Sequence, residues 1–431
     1  MARKAEPKKE EAKEVKKDPR ASGADRGIKT AIEEELAGEV SKISIIKLVD
    51  LLMEYAYFAR ASDVHIDPES GRIRVRVRVD GVMHEAFFFP KELQSEVVTR
   101  IKVLSGLRTD EHQAAQDGRF KAPVHEVGYV DVRVSIAPTY YGENAVLRIL
   151  AEQAQGFTLE ALGFEGSDLE KIRKAIKKPF GMILATGPTG SGKTTTLYTI
   201  IKQLNMPEVS IITVEDPIEY SIDGIDQIQV NPRTGITFAS GLRSVLRQDP
   251  NIIMVGEIRD EETAAIAVNA ALTGHLLLTT LHTNNAATSL PRLIDMKVEP
   301  FLIASTVNVA IGQRLLRRIC DDCKEEVTIT DEELATIKQV VRPELLGTHK
   351  KFFKGKGCVK CDDSGYKSRI GVHEVMDIDD EIREAVMRRA NTSEIQKIAI
   401  KNGMRPMLED AFQKALLGET TIEEIVRVVH E

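Results

Sequence analysis

The stretch Gly187-Pro188-Thr189-Gly190-Ser191-Gly192-Lys193-Thr194 fits the pattern G-x-x-x-x-G-K-[ST], which is typical of the phosphate-binding loop of nucleoside triphosphatases. An apolar run at 182–185 precedes the stretch and predicts a strand, and a run with helical spacing follows it. A strand, a glycine-rich turn and a helix start together direct backbone N–H groups and the positive end of a helix dipole at one anion. The sequence therefore predicts a nucleotide-binding protein.

The residue types of this loop also predict how ATP and Mg²⁺ are held. In such loops the lysine contacts the β- and γ-phosphates and the hydroxyl after it ligates Mg²⁺. These roles are assigned here to Lys193 and Thr194. The predicted nucleotide-binding residues of the loop are Gly187, Pro188, Thr189, Gly190, Ser191, Gly192, Lys193, Thr194 and Thr195.

The pattern around the loop predicts an α/β fold. Helical and strand patterns alternate after residue 167, with strands expected at 182–185, 211–214, 252–255 and 276–280, and this alternation predicts a mostly parallel, doubly wound sheet. Upstream, alternating strands and two helical runs predict an α+β domain. The expected divisions are a disordered charged tail (1–38), the α+β domain (39–151), a linker (152–166), the nucleotide core (167–318), a tetracysteine element (319–366) and a C-terminal helical region (367–431).

Composition limits the class of protein. The chain has 431 residues, 42% hydrophobic and 29% charged, with a net charge of −7. Its apolar runs are far shorter than the roughly 18 residues that a membrane span needs, and its lysine-rich start has no apolar run behind it, which argues against a signal peptide. We expect a cytoplasmic protein that reaches a membrane only through a partner, and the negative charge argues against a dedicated nucleic-acid binder.

Two acidic stretches follow predicted strands of the core. Carboxylates at strand ends on this kind of sheet reach the nucleotide, its Mg²⁺ or the attacking water. The first stretch, at 212–219, contributes Glu215 as a candidate contact to the cofactor and Glu219 as a candidate catalytic acid. The second, at 251–260, places Glu257 after an apolar strand, as in an atypical Walker B element, and Glu257 is the leading candidate to polarise water and to hold Mg²⁺ through water. The division of labour between Glu219 and Glu257 stays open.

Two histidines bracket the predicted strand at 276–280. His282 follows its end, where a residue that senses the γ-phosphate is expected. His275 precedes its start and is expected to serve structure or a subunit contact. A buried, hydrogen-bonded structural histidine is the alternative for each.

Four cysteines form two C-x-x-C pairs, Cys320 with Cys323 and Cys358 with Cys361. Two such pairs can converge tetrahedrally on one Zn²⁺. A redox-active dithiol pair is the alternative, but four cysteines in four ligand positions with none left over favour zinc.

The motifs, in the order in which they occur along the chain, closely resemble those of the secretion ATPases of type II secretion and type IV pilus machines. The segments GPTGSGKTTT, ITVEDPIEY, RQDPNIIMVGEIRD and TGHLLLTTLHTN are similar to that family's Walker A, aspartate box, Walker B and histidine box. Upstream, residues 61–66 and 78–81 resemble its PAS-like domain. The resemblance implies a RecA-like core, and the cysteines place the chain nearer the extension and secretion branch than the retraction branch.

The resemblance implies a particular assembly and mechanism. Such proteins form homo-hexamers that bind ATP between the first domain and the core, where arginines close on the phosphates; the matching positions are Arg133, Arg148, Arg243 and Arg247. Closure and opening of the domains would drive an inner-membrane platform protein that assembles pilin-like subunits. The alternatives are a retraction motor, a hexameric nucleic-acid translocase and a scaffold that does not hydrolyse nucleotide.

Overall fold

The computed structural model describes residues 23–125, 128–150, 158–328, 351–361 and 363–429. Part of the predicted tail (1–22), the first part of the predicted linker (152–157) and the centre of the tetracysteine element (329–350) lie outside the described residues. Within the described part of the chain, none of the helices combines the length and apolar character that crossing a bilayer requires.

The N-terminal part of the chain is built on an antiparallel six-stranded sheet in the order β3-β2-β1-β6-β5-β4. Alternating side chains of its strands are buried, as expected for a sheet with one covered face. The strands are β1 (Ala61–Pro68), β2 (Arg72–Val79), β3 (Val82–Pro90), β4 (Gln116–Val124), β5 (Gly128–Thr139) and β6 (Gly142–Leu150).

Three helices share the hydrophobic core of this sheet: α1 (Gly23–Leu36), α2 (Ile45–Phe58) and α3 (Gln94–Leu104). Helix α1 corrects, for residues 23–36, the prediction that residues 1–38 form a disordered tail. Its Ile32 is fully buried, and Ile28 and Leu36, one turn to either side, pack against the same core. Three apolar residues spaced four apart are enough to attach an otherwise charged helix.

The nucleotide core is a seven-stranded sheet in the order β15-β12-β7-β11-β10-β8-β9. All neighbouring strands are parallel except β15, which runs antiparallel to β12. The predicted α/β class with a mostly parallel sheet is therefore confirmed. The strands are β7 (Gly181–Thr186), β8 (Ile211–Glu215), β9 (Asp226–Gln229), β10 (Ile252–Val255), β11 (Leu276–Leu281), β12 (Val307–Ile319) and β15 (Tyr366–Asp377).

Helices cover both faces of this sheet. One hydrophobic cluster joins alternate strand residues to Ile172 and Leu197, and a second joins the remaining strand residues to Leu242 and Ala264. The sheet is thus buried on both sides, as a doubly wound fold requires. The described helices of this half of the chain are α4 (Gly166–Ile176), α5 (Lys193–Leu204), α6 (Phe238–Val245), α7 (Glu261–Leu272), α8 (Ser289–Asp295), α9 (Pro300–Thr306), α10 (Asp380–Met387), α11 (Thr392–Lys401), α12 (Met407–Leu416) and α13 (Ile422–Val429).

Strands β12 and β15 correct the predicted divisions of the chain. The region 367–431 was predicted to be helical, but it begins as strand β15 of the core sheet, and Ile319 of β12 is the register partner of Tyr366 at its start. Between these two strands lies the tetracysteine element, in which a two-stranded antiparallel ribbon, β13 (Lys324–Thr328) with β14 (Lys351–Gly355), leads the chain back towards the sheet.

Candidate active site

The phosphate loop connects β7, a central strand of the core sheet, to the start of α5. Gly187 has a φ of +143°, and a Cβ there would lie 2.4 Å from the carbonyl oxygen of Gln313. Gly192, at +88°, would bring a Cβ within 2.8 Å of the Gln313 side-chain nitrogen. Because both positions need a left-handed backbone and lack space for a side chain, glycine is required at each. Gln313, which the sequence analysis did not identify, therefore supports the loop from strand β12.

Lys193 begins α5 and is buried beneath the loop. Its Nζ donates hydrogen bonds to the carbonyl oxygens of Gly187 at 2.7 Å and Pro188 at 2.9 Å. Burial lowers the pKa of Lys193 to about 8, while the nearby carboxylate of Glu257 acts in the opposite direction. Burial thus disfavours the charge of this ammonium, and an anionic ligand bound in the loop would stabilise it.

Glu257 and His282 meet at the carboxyl ends of adjacent strands. Strands β10 and β11 are parallel neighbours, so the residues after them lie side by side. The two carboxylate oxygens of Glu257 contact Nη2 of Arg259 at 2.5 Å and Nε2 of His282 at 2.9 Å. Glu257 is buried, with 8% of the residue exposed. Lys193, Glu257 and His282, each predicted from sequence, are therefore brought together, and Arg259 joins them.

His275 lies at the opposite end of β11, away from these groups. Its Nδ1 is 2.9 Å from the carbonyl oxygen of Ala270, at the end of helix α7. This contact fits the structural role expected for His275.

Glu215 ends strand β8 in a buried position. Its carboxylate accepts hydrogen bonds from the hydroxyl groups of Tyr198 and Thr213 and, at 3.1 Å, from the amide of Gln227. Burial raises the pKa of Glu215. Both of its oxygens are engaged by protein donors, so its predicted contact with the cofactor stays a prediction, and the geometry gives it a role in supporting the loop that follows.

One row across the first sheet carries the two arginines expected from this domain. Arg78, Asp63, Arg148 and Arg133 are register partners on β2, β1, β6 and β5, in that order. Directly opposite residues share a face of an antiparallel sheet. Nε of Arg148 contacts Asp63 at 2.9 Å. Arg148 is therefore paired within its own domain.

Arg133 reaches the nucleotide core. Its Nη1 lies 3.2 Å from the Glu219 carboxylate, and its Nη2 donates to the carbonyl oxygen of Ile218. Both acceptors belong to the acidic loop after β8, so Arg133 connects the first domain to that loop.

The two arginines predicted from the core lie on the surface around α6. Arg243 Nη2 contacts Glu262 at 2.6 Å, and Arg247 Nη1 donates to the carbonyl oxygen of Arg243 at 2.8 Å. Neither contacts the loop residues in this structure, and their predicted roles at the phosphates stay predictions.

The four cysteines converge. Sγ of Cys320 is 3.9 Å from that of Cys358, and Sγ of Cys361 is 3.7 Å from those of Cys323 and Cys358. All four sulfurs lie within 4.8 Å of one another. Four thiolates placed about 2.3 Å from one Zn²⁺ in a tetrahedron are about 3.8 Å apart. The donor set and its spacing therefore fit a closed zinc site.

Comparisons with known proteins agree with this architecture. The model of the family described as "Type II/IV secretion system protein" matches residues 39–427. Similar curated proteins include type II secretion system protein E of Xanthomonas campestris pv. campestris, 46% identical over 398 residues, which cover 92% of this chain and 70% of that protein. Type IV pilus assembly ATPase PilB of Myxococcus xanthus is 43% identical over 393 residues, covering 91% of this chain and 69% of that protein.

Solved structures share the fold. The pilus retraction motor PilT with bound ADP is 25% identical and superposes with a TM-score of 0.62, covering 88% of this chain and 96% of that one. The ATPase DotB of Legionella pneumophila has a TM-score of 0.67 at 21% identity, covering 91% of this chain and 97% of that one.

Proposed function

The chain belongs to the type II/IV secretion system protein family, and on that premise we propose that it is a hexameric motor ATPase that drives assembly of pilin-like subunits. The machine would be a type IV pilus in extension or a type II secretion system, reached through an inner-membrane platform protein. The observation that carries the proposal is the convergence of Lys193, Glu257 and His282 at the phosphate loop. The identities of 46% and 43% to proteins named for secretion and pilus assembly support this branch over retraction.

The chemistry assigned to the site is hydrolysis of the γ-phosphate of ATP. Bound Mg²⁺ would neutralise charge on the β- and γ-phosphates, held by the Thr194 hydroxyl and, through water, by Glu257. Lys193 would exchange its two carbonyl contacts for phosphate oxygens. Glu257 is the better candidate to polarise the attacking water because it lies near Lys193, whereas Glu219 contacts Arg133 of the first domain. His282, hydrogen-bonded to Glu257, would orient that carboxylate and report on the γ-phosphate.

The contact between the domains supports a nucleotide site completed from the first domain. Arg133 already reaches the acidic loop of the core, and Arg148 lies beside it in the same row. If Arg133 left Glu219, or Arg148 left Asp63, to contact the phosphates of bound ATP, the nucleotide would be coupled to closure of the two domains.

We expect Arg133→Ala and Arg148→Ala each to lower kcat by about 10- to 100-fold, the range that corresponds to loss of one hydrogen bond to a charged group. Affinity for ATP should change little, because the phosphate loop supplies most of the ground-state contacts. Steady-state turnover and nucleotide titration measure the two effects separately. Arg72→Ala is the matched control, since Arg72 forms an ion pair with Glu69 in the same domain. A normal rate in the Arg148 variant would assign Arg148 to the pair with Asp63 alone.

The cellular role is tested by finding what the ATPase acts with. We expect the purified chain to hydrolyse ATP as a hexamer and to be stimulated by a polytopic inner-membrane protein that co-purifies with it. Stimulation by single- or double-stranded nucleic acid instead would favour a translocase. Loss of surface pili or of secreted protein in a deletion strain separates extension and secretion from retraction, since loss of a retraction motor leaves pili assembled.

We also propose that Cys320, Cys323, Cys358 and Cys361 hold one structural Zn²⁺. The metal would stabilise a segment in which, among the described residues, Phe352 is the only buried large apolar side chain; it packs edge-on against Phe412 at 5.7 Å. Zinc binding to small modules contributes on the order of 10–16 kcal/mol of apparent free energy. That is enough to order the element without a separate core.

Removing a ligand should loosen the element locally. For Cys358→Ser we expect less than one zinc per chain and faster amide exchange within 320–365, with ATP binding retained because the phosphate loop and its strands lie outside the element. Elemental analysis and hydrogen exchange measure these effects. Lys360→Ala, which removes only an ion pair with Asp322 beside the cysteines, should keep its zinc. Reduced wild-type protein without zinc, or a zinc-free protein unable to bind ATP, would contradict the assignment.

A further inference from the structure

Tyr198 lies on helix α5, five residues after Lys193, and is fully buried. The helix begins at the phosphate loop, so the position of Tyr198 is fixed by the loop. Its ring packs edge-on against Tyr220, with the ring centroids 4.7 Å apart. The hydroxyl group therefore reaches the end of strand β8 from a rigid support.

The hydroxyl of Tyr198 joins the two acidic residues after that strand. It donates a hydrogen bond to the carboxylate of Glu215 and accepts one from the backbone N–H of Glu219 at 3.3 Å. The amide nitrogen of Gln227 lies 3.4 Å from the same oxygen. A phenolic hydroxyl has one proton to give and two lone pairs, so these three contacts use its full capacity.

Burial and the neighbouring Glu215 carboxylate raise the pKa of Tyr198 well above its ordinary value. The hydroxyl therefore keeps its proton at neutral and moderately alkaline pH. A hydroxyl that keeps its proton remains a donor to Glu215 and, with its lone pairs, an acceptor for the Glu219 N–H.

Glu219, whose backbone N–H is bonded to Tyr198, is also the residue that contacts the first domain. Glu219 is fixed through its main chain by Tyr198, and its carboxylate contacts Arg133 at 3.2 Å. The route from the phosphate loop to the first domain thus passes through α5, the Tyr198 hydroxyl, the Glu219 backbone and the Arg133 guanidinium. Each step is a single packed or hydrogen-bonded contact.

We propose that Tyr198 is a positioning residue, which holds Glu219 where Arg133 contacts it and so links the phosphate loop to the first domain. The inference rests on the proposed ATPase function for its kinetic consequence, but the placement of Glu219 is a property of the folded chain and can be measured without turnover.

The test begins with Tyr198→Phe, which keeps the ring and removes the hydroxyl. We expect faster amide exchange at Glu219, whose N–H loses its acceptor, a kcat about three- to tenfold lower and a Kd for ATP within about twofold of wild type. Tyr366→Phe is the matched control, because it removes a tyrosine hydroxyl that bonds to Thr421 at 2.8 Å outside the site. It should leave kcat and the exchange of Glu219 unchanged.

Two further variants separate positioning from general loosening. Glu219→Gln removes the charge that pairs with Arg133 but keeps the backbone N–H, so we expect reduced kcat with normal exchange at position 219. The double variant with Tyr198→Phe and Arg133→Ala should have a kcat less than about twofold below that of Arg133→Ala alone. Both changes interrupt the same series of contacts between the phosphate loop and the first domain, so their effects should not add. If the two effects multiply in full, or if Tyr198→Phe leaves the exchange of Glu219 unchanged, the positioning role is wrong. A wild-type chain without ATPase activity would refute the proposed function, while the exchange measurement would still decide on Tyr198.

Discussion

Glu257→Gln should bind ATP with near wild-type affinity and hydrolyse it about 10²–10⁴-fold more slowly, the contribution usual for a positioned general base. The amide keeps the size of the carboxylate and can still accept a hydrogen bond from Arg259 or His282. It cannot take a proton from water. Single-turnover hydrolysis, measured beside nucleotide titration, separates the lost step from binding.

Two comparisons make this result specific to Glu257. Glu261→Gln, four residues after Glu257, removes an exposed carboxylate that pairs with Lys297, and this variant should hydrolyse ATP at the wild-type rate. Glu219→Gln should show a smaller loss than Glu257→Gln if Glu219 only anchors Arg133. If the order of the two losses is reversed, Glu219 is the base and the two assignments exchange.

Lys193→Ala should abolish nucleotide binding at working concentrations. Truncating one partner of a buried charged contact costs about 2–5 kcal/mol, which corresponds to at least about a 30-fold rise in Kd, and the missing charge in the transition state should remove the remaining turnover. The fold should survive, because the glycines of the loop, rather than the ammonium, set its backbone path. Titration with a fluorescent nucleotide and a thermal unfolding midpoint measure the two properties.

Lys174→Ala is the control for loss of a lysine near this sheet. Lys174 lies on α4 and pairs with Asp377 at 3.0 Å, away from the loop, so its variant should bind ATP normally. Wild-type turnover in the Lys193 variant would contradict the assignment of the loop as the catalytic nucleotide site.

The strands that carry the site were predictable because each is a short, fully buried apolar run. Strand β10 begins and ends where the sequence predicts, and β7, β8 and β11 differ from their predicted bounds by at most one residue at either end. Burial on both faces gives such runs a mainly apolar sequence, interrupted here only by threonines and by the final Glu215 of β8, and it can be recognised without knowledge of the neighbouring strands. Glu215, Glu257 and His282 could be predicted together with these strands, because residues at the carboxyl ends of neighbouring parallel strands lie at the same edge of the sheet.

The features that sequence did not predict depend on distant partners. Strand β12 mixes Asn308, Gln313 and several arginines with apolar residues, and it is recognisable as a strand only beside β7 and β15. Helix α1 has three spaced apolar residues among charges, and their burial depends on a sheet formed later in the chain. The contact between Arg133 and Glu219 joins different domains, so no local pattern reports it.

The antiparallel pairing of β12 with β15 determines how the segment between these two strands can vary in length during evolution. Because Ile319 and Tyr366 are register partners, the polypeptide leaves the sheet and rejoins it at the same place, where neighbouring strands are about 4.8 Å apart. The entropy of closing such an excursion rises by only about 0.6 kcal/mol for each doubling of its length. The metal-binding element is therefore an insertion in the connection of the antiparallel strand pair β12–β15. It could be lengthened, exchanged or reduced to a tight turn without altering the register of the sheet that carries the phosphate loop.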